Sequence, residues 1–99
     1  MSKELIAPAT AADTQAGITV LGENIPCTFI ASGLAGAETI NIQIETTPGN
    51  YINMFSEGSQ LELTATNNVL TVFGPGEYQL VKGITAGAAG AFMTSNQHK

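Results

Sequence analysis

The sequence is short of most residues that carry chemistry. Its 99 residues include one cysteine, Cys27, one histidine, His98, and no tryptophan or arginine. A lone cysteine excludes an internal disulfide. One Cys and one His cannot close a four-ligand zinc site. The lysines, Lys3, Lys82 and Lys99, are too few for a basic stripe, so no nucleic-acid partner is expected. Asp13 is the only aspartate, and no Asp-rich calcium loop occurs. The longest uncharged stretch, Gly83 to His98, is broken by glycines and polar residues, so no membrane span is expected. Met1 to Glu4 lacks the apolar core of a signal peptide, which gives an expectation of cytosolic synthesis.

Nucleophilic and acid–base chemistry is equally poorly served. Cys27 sits in an apolar run beside Phe29 with no basic neighbour in sequence, and reads as a small core residue. His98 lies next to the C-terminal residue, where nothing would hold a catalytic base. Glu38, Glu45, Glu57, Glu62 and Glu77 supply carboxylates for a glycosidase-like pair. Glu45 and Glu62 alternate with apolar residues, however, and read as solvated surface. Gly33-Leu34-Ala35-Gly36 and Gly87-Ala88-Ala89-Gly90 have no following Lys and open no helix, so they read as turns, not phosphate cradles. No catalytic set, metal or cofactor is expected.

What the chain does have is strand-forming sequence cut by turns. Ile40, Ile42 and Ile44 alternate with Asn41, Gln43 and Glu45, a period of two with one face buried. Thr47-Pro48-Gly49-Asn50 is a turn, with Pro setting one corner and Gly the next. Tyr51 to Ser56 returns as the hairpin partner. Further runs at Gly17 to Leu21, Ile25 to Ala31, Gln60 to Ala65, Val69 to Phe73, Tyr78 to Lys82 and Ala89 to Thr94 are each bounded by Gly, Pro or Asn. The expected fold is all-β: an antiparallel β-sandwich of seven or eight short strands, with an immunoglobulin-like Greek key as one arrangement. Residues 1–16 are expected to be an N-terminal arm with little core of its own, 17–94 the sandwich and 95–99 a fraying tail.

Two stretches carry a likeness to known proteins. Ala31-Ser32-Gly33-Leu34-Ala35-Gly36-Ala37-Glu38-Thr39-Ile40-Asn41-Ile42-Gln43 enters an alternating strand through a Gly-Leu-Ala-Gly-x-Glu phrase. Leu63-Thr64-Ala65-Thr66-Asn67-Asn68-Val69-Leu70-Thr71-Val72-Phe73-Gly74-Pro75-Gly76-Glu77-Tyr78 runs an Asn turn, a strand and a Gly-Pro-Gly-x-Tyr corner. Over residues 17–93 the pattern resembles small structural proteins of tailed bacteriophages. The chain departs from it at Thr47-Pro48-Gly49-Asn50-Tyr51, where those proteins carry a Gly/Asp-rich turn followed by Trp.

The resemblance implies a non-enzymatic virion component made in the host bacterial cytoplasm. Its first form is a capsid decoration protein on the outer surface of the head, with the major capsid protein as partner and a homotrimeric state. Leu5 and Ile6 on the arm and Leu34, Pro48 and Pro75 in loops are the candidate capsid contacts. A tail or head–tail connector component is the second reading. A glycan-binding module using Tyr51 or Tyr78 is the third, and an enzyme the fourth.

Overall fold

The computed structural model describes residues 2–22, 25–56, 58–72 and 74–95. The Ile-x-Ile-x-Ile alternation becomes β4 (Thr39–Thr47), with Ile40 and Ile42 fully buried and Asn41, Gln43 and Glu45 on the opposite face. The other strands are β1 (Ser2–Ala9), β2 (Asp13–Val20), β3 (Cys27–Ser32), β5 (Asn50–Asn53), β6 (Phe55–Ser56), β7 (Ser59–Gln60), β8 (Glu62–Thr64), β9 (Val69–Val72), β10 (Gly76–Lys82) and β11 (Ala89–Ser95). No α-helix occurs among the described residues.

Two antiparallel sheets form the sandwich, in the orders β1-β11-β3-β9 and β2-β10-β4-β5, with β8 also on β4. β5 and β8 act as one interrupted strand: Met54 N donates to Ile42 O and Ile42 N to Leu61 O, so pairing to β4 resumes after the small β6–β7 hairpin. On that count there are eight main strands.

The pairing is nested. β1 pairs with β11, β2 with β10, β3 with β9, and β4 with β5 and β8. The chain is one long hairpin folded at residues 48–49 and wrapped so that, along each arm on either side of the β4–β5 turn, successive main strands alternate between sheets. This is the jelly-roll arrangement. It corrects the immunoglobulin-like order, in which the last two strands are neighbours in one sheet; here β10 and β11 lie in different sheets.

The expected N-terminal arm is also corrected. Residues 2–9 and 13–20 are strands, one in each sheet, and Leu5 and Ile6 belong to the core at 8% and 1% exposure. Pro8 is tolerated because β1 is an edge strand whose register slips between Ile6 and Ala9. Gly90 makes the approach possible: a Cβ there would lie 2.6 Å from Ile6 O and 2.9 Å from Pro8 N. The tail from 96 onward lies outside the described residues, while Ser95 closes β11.

The core joins both sheets. Phe29 of β3 meets Tyr78 of β10 edge to face, with ring centroids 5.9 Å apart. Cys27, Ile40, Ile42, Leu63 and Leu80 are fully buried around them. Ile6 therefore contributes as a core residue. Ile6→Ala is expected to lower the unfolding free energy by about 2–4 kcal/mol. Urea denaturation measures this, and an unchanged midpoint would contradict the pairing of β1.

Candidate docking face

The registers place the loops at two ends. Ala9 pairs with Ala89, Asp13 with Lys82, Ser32 with Gly90 and Thr39 with Thr64. Loops 10–12, 33–38, 65–68 and 83–88 therefore share one end. The turn at 48–49, the corner at 74–75 and the start of β1 lie at the other. The five contact residues read from the sequence are not brought together. Leu5 and Ile6 are interior, a correction that follows from β1 being a strand. Leu34 is half-buried against the core at the first end, while Pro48 and Pro75 are exposed at the opposite end.

The Gly-Leu-Ala-Gly-x-Glu phrase ties the first end together. The Glu38 carboxylate accepts Ala35 N at 2.9 Å through Oε1 and Ala86 N at 2.7 Å through Oε2. Gly33, at φ +83°, seats the Ala88 carbonyl where a side chain would stand. Thr85 N donates to Thr10 O at 2.9 Å, and the buried Lys82 ammonium donates to Ala11 O. The Ala35 N–H that a phosphate would need is occupied by Glu38. The Gly-Pro-Gly-x-Tyr corner is equally structural: Tyr78 Oη donates to Gly74 O at 2.5 Å.

These placements bear on the chemical candidates. Tyr78 is 1% exposed, and burial pushes its phenol pKa up, so it presents no stacking face. Burial also raises the Cys27 thiol pKa, which disfavours the thiolate. His98 and Glu57 lie outside the described residues. Among the described residues no three His, Cys, Asp or Glu side chains converge as metal ligands. Among the described residues no helix is long and apolar enough to cross a membrane.

The two outer sheet faces differ sharply. In β3, Cys27, Phe29 and Ala31 point inward, which turns Thr28 and Ile30 outward. Registers then align Phe92, Ile30 and Val69 in one cross-strand row, and Thr94, Thr28 and Thr71 in the next. Thr28 and Thr71 hydroxyls bond at 2.9 Å. Val69 is 52% exposed, and Ile30 and Phe92 are half-buried. No charged side chain stands on β3, β9 or β11. A solvent-facing antiparallel sheet is ordinarily polar and charged, so an apolar row flanked by threonines marks a candidate docking face.

The outer face of β2-β10-β4-β5 is the opposite: Glu77, Gln79, Asn41, Gln43 and Glu45 point out from β10 and β4. This row is not among the loop residues singled out from the sequence. Its signal is the unbroken apolar run Phe29-Ile30-Ala31, which puts an apolar residue on both faces of one strand.

No protein-family profile matches the chain, and no curated protein or solved structure matches it either.

Glu38 gives this end of the molecule a pH dependence. Hydrogen bonds from Ala86 N and then Ala35 N hold its carboxyl below the ordinary value, with a smaller attraction from Lys82. A lowered folded pKa means the stabilisation is complete above the unfolded pKa and is lost as pH falls through the folded one. Wild type should melt above Glu38→Gln at neutral pH, with the gap closing in acid as the pH falls below the ordinary carboxylate range. Thermal melts at neutral and acid pH decide; a gap that stays constant would refute the charge-assisted clamp.

Proposed function

We propose that the chain is a non-enzymatic structural protein of a tailed-phage virion. It acts as a capsid decoration protein docked on the outer surface of the head. The observation that carries this reading is the apolar row on the outer face of β11-β3-β9, with Glu4 of β1 standing opposite Phe92 at its edge. The chain bears a net charge of −5, yet the Phe92–Ile30–Val69 and Thr94–Thr28–Thr71 rows are free of it. The strip over β11-β3-β9 can be covered by a protein surface without stripping water from charged groups of its own, which is the costly part of burial.

The sequence resemblance supports the assignment, and jelly rolls recur among viral capsid domains, a fold-level analogy. Docking would be to the major capsid protein, with trimers suiting the threefold positions of the shell. Each copy would bridge neighbouring capsid subunits, and many weak contacts together would strengthen the particle. The carboxylates of the other sheet would then face solvent and keep decorated particles apart.

The test is quantitative mass spectrometry of purified particles. The expected result is a stoichiometry comparable to that of the major capsid protein. A handful of copies would move the protein to the tail or connector, and absence would end the virion reading. Ile30→Lys places a charge on the docking row without touching the core. It should cut occupancy of the shell by about tenfold or more while leaving the melting temperature unchanged. Full occupancy with this variant would remove the face from the interface.

A further inference from the structure

The outer face of the five-stranded sheet carries a row of side-chain amides. Gln79 of β10, Gln43 of β4 and Asn53 of β5 stand opposite one another. Gln79 Nε2 donates to Gln43 Oε1 at 2.6 Å, and Gln43 Nε2 donates to Asn53 Oδ1 at 2.9 Å. Both polar atoms of Gln43 are committed, so the row has a direction. Among the described residues nothing else pairs the Gln79 carbonyl oxygen or the Asn53 amide nitrogen. These groups are held ready instead of being ordered by a ligand.

The face is also concave. Tyr51 of β5 reaches Gly17 of β2, whose N–H donates to Tyr51 Oη at 3.3 Å. Those strands are the two ends of the order β2-β10-β4-β5. Laid flat, three strand spacings would separate them by about 14 Å. A tyrosine spans only about 6.5 Å from Cα to Oη by its bond lengths. The sheet must curl toward Tyr51 for the contact to form. The half-buried ring then makes an apolar wall beside the amides, in a groove that suits a bound molecule better than a flat sheet does.

We propose that this groove binds neutral glycans. The chemistry selects them by elimination. Glu45 and Glu77 point out on the same face, and Glu62 stands opposite Asn41, which also points out. These carboxylates repel phosphate, sulfate and nucleic acid. Half-buried amides reject a wholly apolar ligand, which would leave them unpaired. Sugar hydroxyls both donate and accept, so they match a row that offers an acceptor at one end and a donor at the other. The ring supplies the apolar surface on which a pyranose face rests. The groove lies on the sheet opposite the docking face, so binding here does not depend on what covers that face.

The experiment is native affinity electrophoresis of the full chain through gels cast with dextran, galactomannan or mixed-linkage β-glucan, with alginate as the anionic probe. The wild type should be retarded by at least one neutral polymer and not by alginate. Gln43→Ala and Tyr51→Ala should each weaken that retardation by about tenfold. Tyr51→Phe, which keeps the ring, should stay within about threefold of wild type. Thermal melts establish that each variant is folded. If Gln43→Ala fails to fold, the near-isosteric Gln43→Glu replaces it, with the same loss expected. The proposal is overturned if folded wild type is retarded by none of the neutral polymers, if alginate alone retards it, or if folded Gln43 and Tyr51→Ala variants bind as wild type does.

Discussion

The structure depends on pairing residues that are almost as far apart in sequence as the chain allows. Ser2 stands opposite Thr94 and Asp13 opposite Lys82. Each such pairing closes a long loop before it gains a ladder, an entropic cost that local turns do not share. Two features repay it. Gly90 has no side chain, so the β1 backbone passes within contact of β11. At the other side of the same end, the Glu38 carboxylate gathers N–H groups from two loops that are distant in sequence. Loss of either would leave the sheets paired in the middle and open where the halves of the chain meet.

That dependence explains what could be read from the sequence. The strand at residues 39–47 was legible because its period of two is written locally, and the turn at 47–50 because Pro and Gly announce it. The sandwich followed from counting such strands. The jelly-roll order was not legible, because it resides in which strands pair and no single segment encodes that. The role of residues 2–9 was hidden for the same reason. Leu5-Ile6-Ala7-Pro8 has no alternation of its own, and Pro8 argues against a strand until the edge position and Gly90 are known.

The candidate surfaces show a similar division. The two phrases behind the phage resemblance are mostly scaffold: Gly33 seats a carbonyl, Glu38 clamps loops and Tyr78 caps a corner. A likeness built on such residues transmits the fold, and contact residues can change beneath it. Leu34 illustrates this, since it was read as a loop contact yet packs on the core. The residues that distinguish the surfaces alternate with the core: Ile30 beside Phe29, Gln43 beside Ile42, Gln79 beside Leu80. They were present in every run read from the sequence, and only the register shows which of them stand together.

Strand parity also makes the two faces one constraint. A slip of one residue in β3 would carry Ile30 inward and Phe29 into water, exchanging the outward apolar row for an unburied core. The opposite sheet fixes its own parity through Ile40, Ile42 and Leu80, so Gln43 and Gln79 have one side to occupy. The apolar row of β11-β3-β9 and the amide row of the other sheet are thus held back to back by the same packed layer. A protein that docks by one sheet then necessarily presents the other, and the chemistry of the presented sheet is open to a second role. That geometry would let the proposed attachment and the proposed glycan-binding surface coexist without any part of the molecule moving.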